Sequence, residues 1–176
     1  MVRIGIIGIG NMGSNHSKQI AANNIPNMTL AAVADIKETR RQWAKENLPE
    51  TVHIYESAEE LMDSGNVDAV LIATPHYLHP ELSIKALKHN LHVLCEKPAG
   101  VYTKQVREMN EEADKHALVF GLMFNQRTNP IYKKLKEIVE SGTYGAIKRV
   151  NWIITDWYRT QAYYNSGDWR ATWDGE

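Results

Sequence analysis

Along the first two thirds of the chain, short apolar runs alternate with longer stretches whose apolar residues recur at helical spacing. Arg3 to Ile7 is such a run, ending in glycines, and Asn11 to Asn23 after it is compatible with a helix. "MTLAAVADI" predicts a second buried strand up to Asp35, and Lys37 to Asn47 the next helix. Ser57 and Glu60 have the spacing of a capping box ahead of Leu61 and Met62, opening a short helix. A central strand follows over Ala69 to Ala73, closed by Thr74 and Pro75. Pro80 suits the first turn of a helix with Leu82, Ala86 and Leu87 on one side, and "LHVLCE" is strand again. Thr103 is read as the cap of a helix running towards His116, with "ALVFGLMF" as the last strand of the series. Strands separated by helices must pair in parallel, because parallel neighbours need long crossovers. The expectation is a doubly wound α/β domain over residues 1–124. Beyond it, Asn129 and Pro130 start a helix with Ile131, Leu135 and Ile138 on one face and Gly142 at its C-terminal cap. "IKRVNWIITDWY" then predicts a long strand of β-branched and aromatic residues, the first of a different sheet, in a second domain beginning at residue 125 and running to 176.

Composition narrows the function classes. The 20 basic and 21 acidic residues nearly balance, so no field over the whole surface favours nucleic acid or a charged membrane surface. The single cysteine, Cys95, forms no internal disulfide and closes a buried strand, where it reads as a packed thiol. The N-terminus runs straight into "VRIGIIGIG" without a signal-peptide pattern, and the apolar runs fall short of the roughly 20 residues that span a bilayer. A cytoplasmic protein fits this pattern. His16, His53, His89, His92 and His116 show no ligand spacing with cysteines or acids, so no metal site is expected. "KKLKE" reads as the solvated face of its helix, and Trp152 and Trp157 as packing residues of the second sheet.

Candidate chemistry starts at "GIGNMG", where Gly8, Gly10 and Gly13 stand between a strand and a helix. Gly8 makes the tight turn, Gly10 lets the backbone approach a pyrophosphate and Gly13 lets the helix pack on the strand, with Ile9, Asn11 and Met12 completing the loop. Asp35 ends the second strand about 20 residues on, where a carboxylate accepts hydrogen bonds from an adenosine ribose 2′-hydroxyl. Loop and acid together point to a dinucleotide, with NAD favoured over NADP because Asp35 repels a 2′-phosphate, a preference that Lys37 tempers. The alternative for Asp35 is a helix N-cap. Ligands of open parallel sheets bind outside the carboxyl ends of the strands, and both Ala73–Pro75 and Glu96–Pro98 fall there.

Linked motifs carry a family resemblance: "GIIGIGNMG", "ATPHYLHPELSIKALKHNLHVLCEKP", "MFNQRTNPIYKKLKEIVESGTYGAIKRV" and "DWRATW", in order along nearly the whole chain. Together they resemble the Gfo/Idh/MocA oxidoreductases. That resemblance implies that Lys97 sits beside the nicotinamide and the substrate hydroxyl as the catalytic proton handler, a role that partial withdrawal of a lysine from water would favour. It implies cofactor contacts from Ala73, Thr74, Pro75, His79, Glu96, Gln126 and Arg127, and substrate contacts from Asn125, Tyr158, Tyr163, Tyr164, Trp169 and Arg170. Aromatic faces beside hydroxyl-binding groups suit a sugar or polyol. His76 departs from the asparagine common at its place in the family. Lys97 outside this context would be a turn lysine neutralised by Glu96.

Full-length members of the family continue with a glycine-rich segment, a histidine of the catalytic set and the rest of an open antiparallel sheet. The expectation is therefore about the first half of such an enzyme, with the cofactor site nearly whole, the α+β substrate domain only begun, and homo-oligomerisation through that sheet in the full-length form. An NAD-dependent dehydrogenase or reductase of a sugar, inositol or related alcohol is the favoured function. A nicotinamide-binding module without turnover, and a relative that uses the nicotinamide transiently to cleave glycosidic bonds, are the alternatives.

Overall fold

The computed structural model describes residues 1–156, 158–167 and 169–173. Two units are distinct, Met1–Met123 and the segment from Phe124 onward. In the first, six parallel strands form one sheet in the order β3-β2-β1-β4-β5-β6: β1 Val2–Ile7, β2 Met28–Ala34, β3 His53–Tyr55, β4 Ala69–Ile72, β5 His92–Glu96 and β6 Phe120–Met123. The crossovers are α1 Asn11–Ala21, α2 Glu38–Asn47, α3 Ala58–Asp63, α4 His79–Lys88 and α5 Thr103–Ala113. Strand order reverses beside β1, the switch point at which such sheets open a crevice.

The core lies on both faces of the sheet. Ile7, Val70, Ile72, Val93 and Cys95 pack with Leu61, Leu82 and Leu87, while Ile4, Ile6, Val33, Ala69 and Leu71 pack with Ile20 and Ala44. Side chains of β4 alternate between the two clusters, as a strand buried on both faces requires. In β2 the alternation breaks: Leu30 and Val33 share one cluster although three positions apart. The cause is a register shift, for Ile4 and Gly5 pair with Leu30 and Ala32, which leaves Ala31 as an extra residue.

Local signals hold with two differences. The Ser57 hydroxyl accepts the Glu60 N–H, but the Glu60 carboxylate reaches back to the N–H of Glu56 rather than Ser57, so the box is closed one residue early. Thr103 is the first residue of α5 and Tyr102 its cap, without a side-chain cap hydrogen bond. Strand β3 escapes the sequence because its three residues are too short to display a period.

In the second unit, Asn129 caps α6 Pro130–Glu140 through its side chain, and Gly142 after that helix has φ +67°, a left-handed conformation that glycine adopts without strain. The strand expected over "IKRVNWIITDWY" is not formed among the described residues, and with it the second sheet. A strand exists through ladder hydrogen bonds to a neighbour, and β propensity alone supplies no neighbour. Ile153 is accordingly 83% exposed. Trp152, expected inside a sheet, is exposed and its ring lies 5.5 Å from that of Tyr132, and Trp157 lies outside the described residues. A short helix, α7 Gln161–Tyr164, follows.

Burial separates two similar apolar truncations. Leu87→Ala, at a fully buried position of α4, should cost about 2–5 kcal/mol in urea denaturation. Ile131→Ala, on α6 where the side chain is 75% exposed, should stay within about 0.5 kcal/mol of wild type.

Candidate functional site

Strand register assembles the site. Ile7 pairs with Ala34 on one side and Ile72 on the other, and Ile72 pairs with Cys95. The next residue of each strand, Gly8, Asp35, Ala73 and Glu96, therefore stands in one row at the carboxyl edge of the sheet. Backbone hydrogen bonds continue into this row, from Gly8 N–H to Ala34 O at 2.8 Å and from Ala73 N–H to Ile7 O at 2.8 Å.

The geometry of the glycine loop differs among its three glycines. Gly8 has φ +91°, and a Cβ there would meet the Ala73 carbonyl at 2.9 Å. A Cβ on Gly13 would stand 1.8 Å from Gly8 O, so helix α1 approaches β1 only because the side chain is absent. Gly10, by contrast, has open space beside it and caps α1, and Asn11 and Met12 in the first turn are exposed. Ile9 is buried in the core, and its N–H donates to Asp35 Oδ2 at 2.7 Å. The other carboxylate oxygen accepts the Lys37 N–H at 2.9 Å. Asp35 is thus bonded to the glycine loop itself, while the cap position of α2 is Lys37.

At the end of β5 the chain turns through Glu96, Lys97 and Pro98, with a cis Lys97–Pro98 peptide bond. Glu96 is only 5% exposed, and both of its carboxylate oxygens have partners: Oε1 lies 2.7 Å from His16 Nε2 and Oε2 accepts the Lys97 N–H at 3.2 Å. Burial pushes this carboxyl up, but the hydrogen bond and charge of His16, with the N–H and charge of Lys97, outweigh burial and hold it below the usual range. Lys97 itself is exposed. Beneath the turn, burial above all pushes the Cys95 thiol up to about 12, with the Glu96 charge adding to it, which suits a packing residue and not a nucleophile.

Thr74 and Pro75 follow Ala73 out of β4, and the buried Thr74 Oγ1 has no hydrogen-bond partner among the described residues. His79, the first residue of α4, is buried with Nε2 2.9 Å from Thr74 O and Nδ1 2.7 Å from Pro98 O. One residue, weighed in the sequence only for metal-ligand spacing, has a partner that the sequence did not show. His16 lies in helix α1, which follows the glycine loop, and nothing in its spacing announces a partner 80 residues away.

The remaining candidates belong to the second unit. Asn125, Gln126 and Arg127 form a single 3₁₀ turn, Asn125–Thr128, in which the Arg127 guanidinium lies 5.3 Å from the Phe124 ring. Arg170 Nη1 donates to the Tyr163 hydroxyl at 2.6 Å, and its guanidinium lies over the Tyr163 and Trp169 rings at 4.3 and 4.6 Å. Tyr164 and Arg170 line a concavity of about 510 Å³ together with Gln161, Asn165, Gly167 and Ala171, whereas Tyr158 is exposed outside it. Among the described residues no group of three His, Cys, Asp or Glu side chains could hold a metal ion, and no helix is long and apolar enough to cross a membrane.

Comparison with known proteins finds the same fold. The family model described as "Oxidoreductase family, NAD-binding Rossmann fold" matches residues 2–124. Myo-inositol 2-dehydrogenase of Thermotoga maritima is 38% identical over 144 residues, a stretch covering 82% of this chain and 42% of that protein. The crystal structure of scyllo-inositol dehydrogenase from Lactobacillus casei with bound cofactor NAD(H) and scyllo-inositol matches with a TM-score of 0.77 and 30% identity, over 82% of this chain and 42% of that one. The WlbA dehydrogenase from Bordetella pertussis, in complex with NADH and UDP-GlcNAcA, matches with a TM-score of 0.86 and 25% identity, over 99% of this chain and 53% of that one. The chain spans about half the length of these relatives, or less.

The sign of the Glu96 linkage is testable. A carboxyl held below its ordinary value of 4.5 stabilises the fold above that pH and loses the contribution as pH falls through the lowered value. The stability advantage of wild type over Glu96→Gln at pH 7 should therefore shrink below pH 4.5 in urea titrations. A difference that stays constant down to pH 2 would contradict it.

Proposed function

The chain belongs to the Gfo/Idh/MocA family of oxidoreductases, and we propose that it binds NAD and supplies the proton-handling lysine for hydride transfer to or from an inositol, sugar or related polyol. The observation that carries the reading is the row of Gly8, Asp35, Ala73 and Glu96 at one sheet edge, with Lys97 next in the chain. Two relatives support the substrate class, one named for myo-inositol and one solved with scyllo-inositol and NAD(H).

The residues present fit a dinucleotide. Open space at Gly10 leaves room for a pyrophosphate at the N-terminus of α1, where the N–H groups of the loop through Asn11, Met12 and Gly13 favour negative charge. Asp35 holds the loop with one bond from Ile9 and keeps acceptor capacity for a ribose hydroxyl, since a carboxylate offers about four lone-pair sites. The same charge disfavours a 2′-phosphate, hence NAD over NADP. Ala73, Thr74 and Pro75 flank the ribose at the nicotinamide end, and the unpartnered Thr74 hydroxyl is a group that a ribose oxygen would satisfy. When bound, NAD supplies the hydride acceptor at nicotinamide C4. Lys97, exposed at its turn, takes or returns the hydroxyl proton at the substrate oxygen. Glu96 anchors the turn that carries Lys97, its two carboxylate oxygens being engaged by His16 and by the Lys97 N–H. Gln126 and Arg127 are proposed at the cofactor and Asn125, Tyr158, Tyr163, Trp169 and Arg170 at the substrate, on the family pattern in those segments.

Parallel titration of the chain with NADH and NADPH, followed by tryptophan fluorescence, should give saturable binding that prefers NADH. Asp35→Ser should narrow that preference by about tenfold. Binding of neither dinucleotide by the wild-type chain would overturn the reading. In turnover assays with scyllo- and myo-inositol, Lys97→Met should leave NADH affinity within about twofold and lower NADH formation by about 10²–10⁴-fold. Unchanged NADH formation would remove Lys97 from the proton transfer.

A further inference from the structure

We propose that His79 is a positioning residue that ties the Thr74 turn to the Lys97 turn and so sets the nicotinamide end of the site without touching the cofactor. Its ring is 1% exposed, which leaves no face for a ligand. Both nitrogens meet backbone carbonyls instead, Nε2 that of Thr74 at 2.9 Å and Nδ1 that of Pro98 at 2.7 Å. Thr74 lies just past the end of β4 and Pro98 just past the end of β5, so the two carbonyls belong to the two turns that the neighbouring strands project. Neither belongs to a strand or helix ladder, so a side chain can serve as partner to each. The imidazole is rigid and carries its two nitrogens on opposite sides, so one side chain spans both oxygens at a fixed separation; either neutral tautomer donates its N–H to one of them, and only the imidazolium form donates to both.

A second contact joins the same elements. Pro80, next to His79 in α4, packs so closely on Gly100 that a Cβ there would lie 2.7 Å from Pro80 Cγ. The first turn of α4 therefore supports the chain just beyond Lys97 by packing, and the His79 ring supports it by hydrogen bonding. Displacement of the Pro98 carbonyl displaces Lys97, its covalent neighbour. The adenosine end rests on different bonds, chiefly Ile9 to Asp35, which His79 does not share. Loss of the bridge thus acts on one end of the site and spares the other.

The inference rests on the NAD reading, and the experiment separates the two. Affinities of the full chain for NADH and for ADP-ribose, which lacks the nicotinamide, are measured for wild type, His79→Leu and His79→Gln. His79→Leu should weaken NADH by about tenfold and leave ADP-ribose within about twofold. His79→Gln, which keeps one donor group, should recover part of the NADH loss. Equal weakening of both ligands would reduce His79 to a structural role and overturn the proposal, as would unchanged NADH affinity in a folded variant. Should His79→Leu fail to fold by circular dichroism, the ratio of the two affinities in His79→Gln decides between these outcomes. Wild-type chain that binds neither ligand overturns the NAD reading and this inference with it, whereas wild-type binding of both with equal losses in the variants overturns the inference alone.

Discussion

Parallel pairing of β1 with β2 and β4, and of β4 with β5, is the constraint from which the site follows. Each ladder fixes where its strand ends relative to its neighbour, so four residues far apart in sequence reach one edge together: Gly8, Asp35, Ala73 and Glu96. A slip of one residue in any ladder would also turn its side chains to the opposite face, and both faces are core. Burial on both sides of the sheet therefore holds the site in place at a distance. The extra residue at Ala31 fits the same logic, since it lets β2 change parity midway while Ala34 still ends level with Ile7.

The edge that this register creates includes buried polar groups. Glu96 and His79 are among the few buried polar side chains, and each is committed to partners at 3.2 Å or less. Burial penalises such groups unless they are paired, and here the pairs run between elements: α1 to β5 through His16, and α4 to both turns through His79. Lys97 by contrast is exposed. A side chain in solvent, carried on a turn whose neighbours are fixed, combines access with a defined position.

Legibility in the sequence followed the range of each interaction. The glycines announced themselves because their task is local: Gly13 lacks a side chain on account of Gly8 O, five positions earlier. Asp35 was legible through its distance from the loop, although its bond to the Ile9 N–H was not. Strands buried on both faces read as apolar runs, whereas β3, with three residues, had no pattern to read. His16 was passed over because the reading sought metal-ligand spacing, and its partner Glu96 comes from another strand. His79 was noticed by resemblance as a cofactor contact, but only coordinates place both of its nitrogens on carbonyls.

The second unit shows the converse, a legible pattern without the structure it implies. Helix α6 has its expected cap and its apolar stripe of Ile131, Leu135 and Ile138, yet none of its residues is buried. "IKRVNWIITDWY" has the composition of a strand, yet no ladder forms there among the described residues. In both cases the sequence encodes one side of an interface, and an amphipathic face becomes core only when a second face meets it. In the first unit the second face is always within reach, because every helix returns to a sheet whose strands are already paired. The difference between the units is therefore one of partners, and local propensity is satisfied in α6 as fully as in α4.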